Sequence, residues 1–220
     1  MRHPAAPCRP AGRLLLTCAC TLGALAGGAA QAADTVDQFN TGPVAGGFTL
    51  NAGPIGQGFT PALSALDFVE LQINDQNPGD GQGALIAVRI RAGGIAGAVV
   101  GTSQTVAFAD QAPLPFQAPE RVRFSFTTPV VLTPGATYVI EPFRAAPGGS
   151  DLGVFGTGFG IDAYASGVSY FRGAVFDDPE GAPFDLWFSE GVAAVPEPSA
   201  ALLLLAGLPL LWWRHARRAA

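Results

Sequence analysis

Leu66-Asp67-Phe68-Val69-Glu70-Leu71-Gln72-Ile73 is the stretch that decides the fold. Val69, Leu71 and Ile73 fall on one side of an extended chain and Glu70 and Gln72 on the other, the period of two that marks a half-buried strand. The design recurs twice. In Ala84 to Arg91, Ile86, Val88 and Ile90 share a face while Arg89 and Arg91 point the other way. In Arg121 to Phe126, Val122, Phe124 and Phe126 lie inside and Arg121 and Arg123 outside. A slip of one residue would expose each apolar set to water, so these registers are strongly specified.

Links rich in Gly or Pro separate these strands: Asn74 to Gly83, Gly93 to Gly97 and Gln111 to Pro119. Val130 to Leu132 runs into the turn signal Thr133-Pro134-Gly135, and Thr137 to Glu141 makes a further strand. Upstream, Asp34 to Gly58 is expected to form short strands and loops anchored by Phe39, Phe48 and Leu50, with Phe59 just beyond. Downstream, Phe155 to Tyr170 supplies two short strands and Asp185 to Ser189 closes the sheet. No stretch of the body holds a helical period for three turns, and the 29 glycines and 19 prolines fall mostly between apolar runs. The expected fold is all-β: a single jelly-roll-like β-sandwich of eight or nine short strands over residues 33–194.

The two ends have a different character. Met1 to Ala32 carries Arg2, Arg9 and Arg13, an apolar run from Leu14 to Ala26 and the small-x-small site Ala30-Gln31-Ala32, the layout of a secretory signal peptide cleaved before Ala33. Cys18 and Cys20 sit in sequences that match a lipidation site poorly. All three cysteines (Cys8, Cys18, Cys20) lie in this leader, so the exported body would rely on core packing without disulfides. Residues 195–220 begin with Val195-Pro196-Glu197-Pro198-Ser199, continue through an uncharged run from Ala200 to Trp213, and end on Arg214, His215, Arg217 and Arg218. The run has 14 residues where a full membrane-spanning helix needs about 20, and it contains Gly207 and Pro209, so it fits a marginal or transient span. Trp212 and Trp213 stand where an interfacial aromatic belt would be, and Arg214, Arg217 and Arg218 would remain cytoplasmic, leaving the body across the membrane.

Val195 to Ser199, the Leu-rich run and the arginine cluster together resemble the PEP-CTERM sorting signal of exopolysaccharide-producing Gram-negative bacteria. That resemblance implies handling by an exosortase, a membrane-embedded, cysteine transpeptidase-like enzyme that cleaves near Pro-Glu-Pro. The implied destination is the cell envelope, surface or extracellular matrix, with the membrane engaged through the C-terminal helix. The body is in turn similar to jelly-roll modules attached to varied cell-surface anchors, some of them carbohydrate-binding. The similarity rests on Gln57-Gly58-Phe59-Thr60, Val88-Arg89-Ile90, Phe124-Ser125-Phe126, the run from Val131 to Tyr138 and Asp185-Leu186-Trp187-Phe188.

Composition removes several chemistries. Residues 34–195 contain no Cys, His or Lys, which takes away imidazole-based nucleophilic sites, Cys/His zinc sites and a lysine-bearing phosphate loop. They carry 16 carboxylates, the chain's 17 less Glu197, against six arginines, a net charge of −10 that argues against nucleic acid as a partner. Carboxylate-dependent glycoside hydrolysis is the enzymatic route left; the expectation is that the protein is not an enzyme. Two binding sites are candidates. Asp75, Asn77 and Asp80 offer oxygens to calcium from one loop, with Asp177, Asp178 and Glu180 as a second acidic cluster, although an ordinary solvated turn uses the same residues. Trp187, with Leu186 and Phe188 facing inward, is expected on the outer face, where its ring could stack on a sugar. The expected role is structural or adhesive in a polysaccharide-rich surface or matrix, the alternative a carbohydrate-binding module, and no cofactor other than calcium is a candidate.

Overall fold

The computed structural model describes residues 33–112, 119–157, 163–176 and 184–194. The segments expected as signal peptide (1–32) and apolar tail helix (195–220), and the cluster Asp177, Asp178 and Glu180, lie outside the described residues. Among the described residues no helix is long and apolar enough to cross a membrane.

Two antiparallel sheets form the body. The first joins β1 (Thr35–Asn40), β13 (Phe188–Val192), β4 (Ala65–Asp75), β10 (Leu152–Gly156) and β2 (Gly46–Thr49) in that order, with β8 (Glu120–Val131) also paired to β4. The second runs β12 (Ala174–Val175), β11 (Ser169–Phe171), β3 (Gly56–Phe59), β9 (Tyr138–Arg144), β5 (Ala84–Ala92) and β6 (Val99–Thr102), with β7 (Val106–Phe108) also on β5. A 3-10 turn, Leu50–Ala52, follows β2 and is capped by the Thr49 hydroxyl, which accepts the Asn51 N–H.

The three alternating segments build the core as their spacing predicts. Val69, Leu71 and Ile73 of β4, Ile86, Val88 and Ile90 of β5, and Phe124 of β8 are fully buried in one cluster shared by both sheets. Each such side chain contributes about 1.5–3 kcal/mol by leaving water, so these strands alone account for much of the driving force. A second cluster of Phe48, Ile55, Val154, Phe184 and Leu186 lies beside it, with Phe48 at the centre of a ring of Phe171, Phe176 and Phe184.

The structure extends the sequence reading at the edges. Strand β8 is one continuous element of 12 residues where the pattern suggested two pieces. Its far end leans toward the second sheet, for the Gln104 N–H bonds Ser125 O, and Gly101 of β6 sits where a side chain would meet Val130 at 2.4 Å. Strands β6 and β7 were not expected. Thr133-Pro134-Gly135-Ala136 turns as predicted, Gly135 at φ +79° and the Ala136 N–H on Thr133 O, the glycine-requiring form of the turn.

Candidate functional site

The residues singled out by sequence meet different fates. Val195, Pro196, Glu197, Pro198 and Ser199, and the basic end Arg214, Arg217 and Arg218, lie outside the described residues. Trp187 is corrected. It is 7% exposed rather than outward-facing, and its backbone N–H bonds Phe155 O. The reason is that every residue from Phe184 to Gly191 is buried, so both faces of this stretch are covered. Alternation predicts exposure only where one face is wet, and here neither is. A ring sealed in this way offers no face to a sugar.

The loop after β4 brings Asp75, Asn77 and Asp80 into neighbouring turns. Asp75 is buried; its Oδ1 accepts the Asn77 N–H at 2.9 Å and the Ser150 hydroxyl, while its N–H bonds Gln111 Oε1 at 2.8 Å. Asp80 Oδ1 accepts the Gln82 N–H at 2.7 Å. Asp110, which the sequence did not single out, clamps the loop from outside, its two oxygens taking the Gly79 and Gly81 N–H groups at 2.8 Å each. Those glycines have φ near +80°, a conformation that a side chain would strain. The carboxylates thus serve the turn, and a cation would compete with their N–H donors. Among the described residues no group of three or more His, Cys, Asp or Glu is placed to hold a metal.

The outward arginines of the alternating strands are neutralised in place. On the second sheet Arg91 Nε meets Glu141 at 2.6 Å, and Arg89 reaches the same carboxylate at 4.0 Å while lying 3.7 Å over the Phe143 ring. On the first sheet Glu70 lies between Arg121 at 3.8 Å and Arg123 at 3.6 Å, and Arg123 also bonds Asp34 at 2.7 Å. Asp34 accepts the Ala194 N–H as well, and that bond first, with Arg123 second, holds its carboxyl below the usual range. The first and last described strands are tied together here, since Thr35 pairs with Val192.

One group is anomalous. Glu190 follows Leu186 and Phe188 in phase on the inner side of β13, is fully buried, and neither carboxyl oxygen makes a hydrogen bond of ordinary geometry. Burial, with the charge of Asp37 next, pushes its pKa up to about 8, offset only in part by the Gln38 N–H. Nearby, the Tyr164 hydroxyl donates to Gln38 Oε1 at 2.9 Å and its ring meets Phe188 edge-on. The signal that would have found Glu190 is its phase: positions 186, 188 and 190 share a face, and the third is a carboxylate.

No protein-family model matches this chain, and no curated protein matches it.

Proposed function

We propose that the chain is a secreted, envelope-anchored surface or matrix protein of a Gram-negative bacterium, sorted through a PEP-CTERM and exosortase-type pathway, with a structural or adhesive role. The observation that carries this is the order of the tail: Pro196-Glu197-Pro198, an apolar run, then Arg214, Arg217 and Arg218. In this reading the delivered body is a jelly-roll-like sandwich, and residues 1–32 and 195–220 direct its export and retention. An acidic surface and a body free of Cys, His and Lys fit a scaffold better than a catalyst. Glu190 has the raised pKa of a general acid, but it is sealed from solvent, so no glycoside reaches it.

The test is deletion of residues 195–220 in the producing organism, with the location followed in cells that have and cells that lack the exosortase. The expected result is envelope retention of the body only when both tail and enzyme are present. An unchanged location without the tail would overturn the proposal. Binding of a polysaccharide by the body is compatible with this role. A glycan array run with and without EDTA decides whether calcium takes part.

A further inference from the structure

Glu190 is covered on one side by a strand that can leave. Among the described residues β1 pairs with β13 alone, as the edge of its sheet, and Gln38 stands opposite Glu190. On its other side β13 is paired to β4, with Glu190 opposite Val69. Lifting β1 would therefore bring water to the carboxylate while β13 keeps its place on β4. Little apolar surface resists this, for Val36 and Phe39 of β1 are 47% and 58% exposed. What holds β1 is mostly polar. The Asn40 amide donates to Thr157 Oγ1 at 3.1 Å and to Leu186 O at 2.9 Å, and Gln38 Oε1 accepts the Tyr164 hydroxyl. Asp37, the extra residue of a bulge between Val36 and Gln38, accepts the Ala62 and Leu63 N–H groups on Oδ2 at 2.8 and 2.9 Å.

The groups around Glu190 leave a charge there uncompensated. Asp37 acts on it from β1 as a second negative charge. From the segment before β11 comes the Tyr164 hydroxyl. Burial holds that hydroxyl above its usual range against the Thr60 N–H, and Glu190, Asp37 and Asp185 add to the effect, so it stays neutral. Val69 of β4 and, beyond it, Phe124 of β8 are apolar and fully buried. Asp67 lies further along β13, where it accepts the Ala193 N–H at 3.2 Å. No arginine among the described residues forms an ion pair with Glu190. A carboxylate so placed ionises most readily by meeting water, and an edge segment opens at a smaller cost than a whole domain. We propose that β1 is a pH-released strap: loss of the Glu190 proton frees Thr35–Asn40 from β13 while both sheets stay folded.

With β1 in place Glu190 keeps its proton up to about pH 8, whereas a freed strand lets it go near the ordinary 4.5. Opening is therefore favoured by about tenfold more for each pH unit between those values and levels off above them. The test is hydrogen exchange, read by mass spectrometry on the purified full-length chain at pH 5 and pH 8, with the intrinsic exchange rate at each pH divided out. The expected result is a loss of protection on the order of 100-fold in residues 36–40, with Leu66 to Ile73 and Ala84 to Arg91 unchanged. Glu190→Gln should keep β1 equally protected at both pH values. Asp37→Asn retains an oxygen for the Ala62 and Leu63 N–H groups but removes the second charge, and should shrink the loss. Protection of β1 that does not change with pH would overturn the strap. So would an equal loss in β4 and β5, which marks opening of the whole domain, or an undiminished loss in Glu190→Gln.

Discussion

Strands β5 and β13 make opposite uses of the same period-two geometry. In β5 the inward positions are Ile86, Val88 and Ile90, and the charges on the other face, Arg89 and Arg91, share the buried carboxylate of Glu141. In β13 and the residues before it, the inward positions are Leu186, Phe188 and Glu190, and the opposite face, with Trp187 and Ser189, is buried too. A half-buried strand can place charge wherever water reaches. The stretch from Phe184 to Gly191, buried on both faces, has no such place, so Glu190 lacks a cationic partner and only the Gln38 N–H offsets its burial. The lesson is that burial without a cationic partner sets Glu190 apart from the equally buried Glu141, and it makes β13 a pH-sensitive part of the fold.

Changes of pH should expose that difference most strongly. The folded pKa of Glu190, about 8, lies above its ordinary 4.5, so the folded state holds a proton that the unfolded chain releases. Its stabilising contribution is fully present below pH 4.5, falls as pH rises, and is exhausted above pH 8. The full span is at most about 5 kcal/mol. Urea midpoints across pH 5 to 9 should fall for the native chain and stay flatter for Glu190→Gln, which should also be the more stable of the two at pH 8. Parallel curves would show that Glu190 finds a partner.

Next in size is Trp187→Ala. A buried tryptophan should cost about 3–5 kcal/mol on truncation, whereas an outward-facing one would cost within about 0.5 kcal/mol; chemical denaturation separates the two. Phe124→Ala in β8 should fall in the same range as the buried tryptophan, since Phe124 is fully buried. Glu141→Gln should cost less, about 1–3 kcal/mol, because it leaves Arg91 without its charged acceptor. Least of all, Arg121→Ala should shift stability by under about 0.5 kcal/mol, its side chain being 63% exposed and 3.8 Å from Glu70.

The legibility of the fold follows the same contrast. Strands β4, β5 and β8 were readable because their polar faces meet water, and each inward residue named from sequence is buried. The edge strands β6 and β7 were not, because Val99 to Thr102 and Val106 to Phe108 are too short to show a period, and Val99 and Val100 are exposed despite being apolar. Trp187 was misplaced because its neighbours were read as a strand with one wet face. The acidic loop was legible as a turn, but Asp110, which closes it from 29 and 31 residues away, carries no local signal.

The claim on which the functional account turns is that residues 33–194 are the delivered object and the segments on either side direct its delivery. Intact mass measurement of the protein recovered from its own cell envelope tests this most directly. The account predicts a chain beginning at Ala33 and shortened near Pro196-Glu197-Pro198 once sorting is complete. A mass corresponding to Met1 through Ala220, found in the cytosol, would contradict it.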